Sequence, residues 1–265
     1  VPYDDDMLGD ERYARNLLRE LRGALLLDEI KVHYQPLYSV DGKTLKSYEA
    51  LVRWHHSHRG VIMPSEFIPF AEKAGLIDRL GDEVLAQVCR DLPKLGVPVA
   101  VNVSPVQLRR HDYAERVLDT LLEAGVSPRD LVVEVTESVL MHANGAETQN
   151  LEAIRQAGIR VAIDDLGTGH ASLEYLRSFA FDIIKIDRSY IGNMLNARVD
   201  RVLVAAICEI GQVLGVEVIA EGVETEAQLA ALRDVGCSAA QGYLLGRPKP
   251  LAEIDARRRI LPPAA

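Results

Sequence analysis

At 265 residues, 48% of them hydrophobic, the chain can bury a full core without disulfides or a structural metal. Acidic residues outnumber basic ones, 39 to 30, which excludes nucleic-acid polymers and anionic membrane faces as partners held by bulk charge. Three cysteines without ligand spacing exclude a disulfide framework, and no apolar run approaches the ~20 residues of a bilayer span, so no membrane contact is expected from this segment.

The chain starts with Val1, and its first residues, Tyr3 to Asp10, are polar and acidic, as in segments that join domains. Residues 1–13 therefore read as a linker or N-terminal extension of something longer. An odd cysteine count, with no basic-then-apolar leader, suits a reducing compartment. The expected location is cytoplasmic, as a free domain or as the cytoplasmic part of a membrane-anchored protein. Cys89, Cys208 and Cys237 each fall within or at the end of an apolar helical pattern and are expected in the core.

An amphipathic helix is predicted over 11–26, followed by strands over 31–37 and 45–53. Between those strands stands only Val40-Asp41-Gly42-Lys43, an Asp-Gly hairpin turn too short for a parallel crossover, so the first strand should run antiparallel to the second. Further strands over 97–103, 131–135, 160–164, 182–186, 217–220 and 238–243 alternate with helices. These helices are predicted over 80–95, 105–124, 146–157, 188–214 and 226–235. Ser104 three residues before Gln107, and Thr225 three before Gln228, mark two of the helix starts. Eight strands give an α/β fold, a TIM-like (β/α)8 barrel whose first strand is antiparallel, as one domain over 14–259 with a tail at 260–265.

The carboxyl ends of successive strands carry Glu49, Asn102, Glu134, Asp164 with Asp165, Lys185, Glu221 and Gln241. In an α/β barrel those ends meet at one mouth, so distant residues become neighbours. Crowded carboxylates cannot all stay ionised uncompensated, and hard oxygen ligands favour Mg²⁺ or Mn²⁺ as the compensation. Consecutive strand residues such as Asp164 and Asp165 share a site only where the backbone turns, a turn that Gly167 and Gly169 can supply. One carboxylate could then bridge two ions ~4 Å apart, the arrangement that activates water against a phosphodiester. An ammonium on the apolar run 182–187 is costly unless it faces the polar mouth, so Lys185 should orient the water or steady phosphoryl charge, or else pair with an acid such as Asp187. His55, His56 and His58 lack a nearby thiolate or carboxylate spaced to complete a tetrahedral site, so they read as capping or solvated residues rather than a zinc set.

The run Glu49-Ala50-Leu51-Val52-Arg53-Trp54 resembles the signature of the EAL-domain phosphodiesterases, which open cyclic di-GMP to linear pGpG. Similar to that family are also Tyr34-Gln35-Pro36, residues 64–69, Asn102-Val103-Ser104 and Glu134-Val135-Thr136-Glu137. The likeness continues through residues 164–169, Lys185-Ile186-Asp187-Arg188, residues 220–225 and Gln241-Gly242-Tyr243, and spans roughly 14–250. It implies one ion held by Glu49, Asn102, Glu134 and Asp164, and a second by Asp164, Asp165 and Glu221. It further implies that Lys185 positions the attacking water, with Glu221 as a base, and that Gln241 binds near the ions. Gln35, Leu51, Arg53 and Asp187 would line the substrate groove.

The segment after Asp165 resembles the family's mobile loop, in which Gly167, Thr168 and Gly169, held by Glu137 and with Glu224, link metal binding to dimerisation. A homodimer is implied, as is a sensory or diguanylate-cyclase-like domain in a longer chain. Leu166, His170 and Phe179-Ala180 depart from the common Phe, Tyr and Leu-Pro, which bears on loop ordering and turnover rate rather than on any metal ligand. Degenerate family members act as non-catalytic cyclic di-GMP receptors and usually lack ligands. All ligand positions are filled here, which favours catalysis. The fold alone would also allow a barrel enzyme acting on another phosphate ester.

Overall fold

The computed structural model describes residues 4–141, 145–166 and 179–254. Eight strands close a barrel: β1 (Ile30–Ser39), β2 (Leu45–His56), β4 (Val99–Asn102), β5 (Leu131–Thr136), β6 (Arg160–Leu166), β7 (Ile183–Ile186), β8 (Glu217–Ala220) and β9 (Ala239–Gln241). From β2 through β9 neighbours are parallel, whereas β1 is antiparallel to both β2 and β9 and closes the ring. The β1–β2 turn forms as the Asp-Gly signal predicts, with Asp41 Oδ1 accepting from Lys43 N and Gly42 at φ 71°. Two short strands were not legible from periodicity: β3 (Gly60–Ile62) folds back antiparallel onto the end of β2, and β10 (Lys249–Pro250) pairs with β1.

Strand alternation sorts the side chains into two layers. Inside the barrel, Leu37, Ala100, Val132, Ala162, Ile183, Ile219 and Ala239 form a compact apolar plug. Residues of opposite phase, such as Val101, Val133, Ile163, Ile184 and Val218, pack outward against the helices in the main core. Cys89, Cys208 and Cys237 are all buried there, as expected.

The helices are α1 (Asp4–Ala24), α2 (Pro64–Lys73), α3 (Ile77–Leu95), α4 (Pro105–Leu108), α5 (Tyr113–Ala124), α6 (Ala146–Gln156), α7 (Arg188–Asn193), α8 (Arg198–Leu214) and α9 (Glu226–Asp234). α1 starts at Asp4, inside the stretch read as a linker. Its Leu17, Leu21 and Ala24 join Trp54, Phe67 and Ala71 in a separate small core that fastens α1 and α2 to the outer end of β2. Two helices predicted as continuous are broken. Between α4 and α5, the Asn150 amide from α6 donates to the Leu108 and Arg110 carbonyls while its oxygen accepts from Ala114 N. A side chain 36 to 42 residues away thus satisfies the backbone groups that the break exposes. The second break separates α7 from α8.

Candidate active site

The apolar plug positions the polar mouth. Two residues beyond each plug residue, towards the same rim, stand Gln35, Asn102, Glu134, Asp164, Lys185, Glu221 and Gln241, and the eighth strand adds Glu49, directly opposite Gln35. The two-residue period of a strand stacks this ring on the plug, so the apolar floor and the polar mouth come from one alternation.

At the centre lies the Lys185 ammonium, on a side chain only 1% exposed. Its Nζ is 2.6 Å from Glu221 Oε1, 2.8 Å from Glu134 Oε2, 3.4 Å from Asp164 Oδ1 and 3.8 Å from Glu49 Oε1. Three acids on strands and Glu221, directly after β8, therefore share one centre, and the lysine pairs with them rather than with Asp187. Burial alone would lower the Lys185 pKa, but the surrounding carboxylates outweigh it and hold the ammonium charged well above its usual range. Burial pushes Glu134 well above the carboxylate range, against the pull of Lys185, and raises Glu221 to about 7. Asp165 is raised too, by burial and then by Asp164 and Asp187.

Glu49 is fixed from both sides by amides: Asn102 Nδ2 donates to Oε1 at 2.8 Å and Gln241 Nε2 to Oε2 at 2.5 Å. Asp164 and Asp165 reach the same rim because Asp165 itself has φ 57°, and the β6–β7 register shifts between Ile163 and Leu166. The described turn thus lies at Asp165. Gly167, Thr168, Gly169 and His170 lie outside the described residues. Gly242 permits the close approach of the Gln241 and Glu221 loops, because a Cβ there would stand 2.1 Å from the Val223 carbonyl oxygen.

The other expected residues are placed as follows. Leu51 and Glu49 line a cavity of about 480 Å³ that runs beneath α2 and also includes Asn102, Ser104 and Glu72. Arg53 is half-buried on β2, where burial lowers its pKa, and its Nη1 donates to the Val52 carbonyl. Asp187 caps α7, accepting from Ser189 N and Oγ. Glu137 is buried in the turn directly after β5, and the Glu224 side chain is exposed beside the α9 cap. Gln35 is 8% exposed with both ends of its amide engaged. His56 takes the capping role, its Nδ1 accepting from the backbone N–H of His58 and Arg59. Glu72, which takes the Ser104 hydroxyl at 2.6 Å, was missed with its helix. The signal available was Pro64 at the first helical position with Glu66 two residues on, set against an internal Pro69.

As the side chains stand, no group of three or more His, Cys, Asp or Glu among the described residues is spaced to hold a metal ion, because the carboxylates close on Lys185. The donor set nonetheless fits hard divalent cations. It is all oxygen, its acids exceed its one ammonium, and the buried Gln241 Oε1 has no hydrogen-bond partner among the described residues.

The family model of the EAL domain matches residues 18–248. An uncharacterised signalling protein of Caulobacter vibrioides is 43% identical over 242 residues, which are 91% of this chain and 30% of that protein. The cyclic di-GMP phosphodiesterase NbdA of Pseudomonas aeruginosa is 41% identical over 242 residues, 89% of this chain and 31% of that one. Among solved structures, the PaMucR phosphodiesterase in its c-di-GMP complex superimposes with a TM-score of 0.85 at 39% identity, covering 89% of this chain and 98% of that chain. The chain spans about a third of the length of these curated relatives.

Proposed function

Because this chain belongs to the EAL domain family, we propose that it is a phosphodiesterase that hydrolyses cyclic di-GMP to linear pGpG with two divalent cations, Mg²⁺ or Mn²⁺. The observation that carries this reading is the convergence of Glu49, Glu134, Asp164 and Glu221 on one buried centre at the barrel rim. Glu49, Asn102, Glu134 and Asp164 would hold one ion, and Asp164, Asp165 and Glu221 the other. Bound there, the cations would supply the positive charge that polarises a phosphodiester and makes water acidic enough to attack it.

The chain's own residues do the remaining work. Lys185, charged and fixed by its neighbours, orients the attacking water and offsets charge that develops on phosphorus oxygens. Glu221, beside the Lys185 ammonium at the rim of the site, serves as the base that takes the proton from the attacking water. Arg53 offers a guanidinium from the half-buried edge of the groove for a bridging phosphate, and Leu51 offers apolar surface for a base.

A homodimer and an upstream sensory or cyclase domain belong to the same reading. Exposed Val199, Val202 and Leu203 follow helical spacing along the start of α8, with exposed Leu195 in the turn just before it, and support self-association.

The test is incubation of the purified domain with cyclic di-GMP, with Mg²⁺ or Mn²⁺ and with chelator. The reading expects linear product only with metal. Tight binding of cyclic di-GMP without product would leave a receptor, and turnover of other phosphodiesters alone would replace the substrate.

A further inference from the structure

Four groups at the mouth form a chain of amide hydrogen bonds with a fixed direction. Gln35 Nε2 donates to the Gly246 carbonyl at 3.0 Å, Gln241 Nε2 donates to Gln35 Oε1 at 3.1 Å, and the same Gln241 nitrogen donates to Glu49 Oε2 at 2.5 Å. A side-chain amide can be turned end for end, so its polarity is set by its partners. Here the setting begins at a group that cannot be reversed, since a backbone carbonyl only accepts. Gly246 therefore obliges Gln35 to present its nitrogen outward and its oxygen to Gln241. Gln241 must in turn present its nitrogen to both Gln35 and Glu49. Reversed, its oxygen would face two acceptors in a buried setting and leave all three groups unmet.

The consequence falls on the far end of Gln241, whose Oε1 is buried and accepts nothing among the described residues. The anchor is sterically held as well: a Cβ at position 246 would come 2.5 Å from Pro36 Cγ, so only glycine lets that carbonyl approach the Gln35-Pro36 corner.

We propose that Gln35 is a positioning residue: anchored on the Gly246 carbonyl, it fixes the amide polarity of Gln241, which locks Glu49 and turns Gln241 Oε1 into an acceptor for the centre. Each end of the Gln35 amide is engaged inside the protein and its side chain is 8% exposed, so its orientation is set by the protein. This rests on the metal-dependent reading above. Partners behind a metal ligand change affinity or activity about 10- to 100-fold when removed.

The test measures kcat, KM and calorimetric Mn²⁺ affinity in wild type, Gln35→Met, Gln241→Met and the double variant, with thermal unfolding as the check on folding. Gln35→Met is expected to lower kcat and weaken Mn²⁺ binding about tenfold, leaving KM within about twofold of wild type. In the Gln241→Met background the same change should do nothing further, because its effect runs through Gln241. Should Gln35→Met not fold, Gln35→Glu keeps the volume but cannot donate to Gly246, and the same split between kcat and KM is read from it. A rise in KM with Mn²⁺ affinity unchanged, or effects that add in the double variant, would overturn the proposal. A wild-type domain that binds no Mn²⁺ or makes no product would instead sink the phosphodiesterase reading, and the two failures are distinct.

Discussion

Lys185 Nζ and Glu134 Oε2 stand 2.8 Å apart with side chains 1% and 3% exposed, an ion pair withdrawn almost wholly from water. Such a pair contributes little net stability, yet breaking it leaves a lone buried charge at a cost of about 3 to 5 kcal/mol. Lys185→Ala should therefore abolish turnover and also lower the stability of metal-free protein by about that amount at pH 8. The loss should shrink at pH 5, where carboxylates left without the ammonium protonate more readily. Urea unfolding in chelator at the two pH values checks this, and equal losses at both would show that charge is not the cause.

Glu49 carries a prediction of opposite sign to the one its sequence suggests. Five acids at one mouth imply that removing one relieves repulsion and stabilises the metal-free fold. The structure instead gives Glu49 two amide donors, Asn102 and Gln241. Glu49→Ala leaves one of the two hydrogens on the buried Gln241 nitrogen without its acceptor, and we expect a net loss of about 1 to 3 kcal/mol. Calorimetric melting of metal-free Glu49→Ala decides between the two, since a raised Tm would restore the repulsion argument.

Glu221 predicts a pH dependence. Its folded pKa, about 7, lies above the ordinary glutamate value of 4.5, so the folded state binds a proton more tightly than the unfolded one. The stabilisation from that proton is complete below about pH 4.5 and is lost as pH rises through 7. Its full extent is about 3 kcal/mol at 1.36 kcal/mol per unit. Metal-free wild type should weaken from pH 5 to pH 8 more steeply than Glu221→Gln. Identical slopes in denaturant titrations would remove Glu221 as the cause.

Particular residues show which parts of this arrangement the sequence discloses. The mouth is readable because a strand's two-residue period ties each polar end to an apolar plug residue, as Val132 precedes Glu134 and Ile183 precedes Lys185. The hairpin is readable because Asp41-Gly42 acts locally. The break at 109–112 is not, because the group that makes it tolerable is Asn150, on another helix. α2 is hidden by Pro69, an internal breaker that packing of Phe67 and Ala71 overrides. The Gln35–Gly246 bond joins residues 211 apart, and no local pattern announces it.

Asp165 joins strain to function, since it is a non-glycine residue at φ 57°. Aspartate and asparagine tolerate this left-handed region better than other residues with a side chain, glycine occupies it freely, and β-branched residues are strained there. In metal-free protein we expect Asp165→Gly and Asp165→Asn to be as stable as wild type or slightly more so, because each removes a charge whose pKa is already raised by burial and Asp164. Asp165→Ala should cost about 1 kcal/mol and Asp165→Val about 2 or more. All four lose a carboxylate assigned to the second ion, so calorimetric Mn²⁺ stoichiometry should fall from two towards one in each, whatever its melting temperature. Stability that ranks by side chain while stoichiometry falls uniformly would separate the backbone role from the ligand role. Two ions still bound by Asp165→Asn would end the second of these.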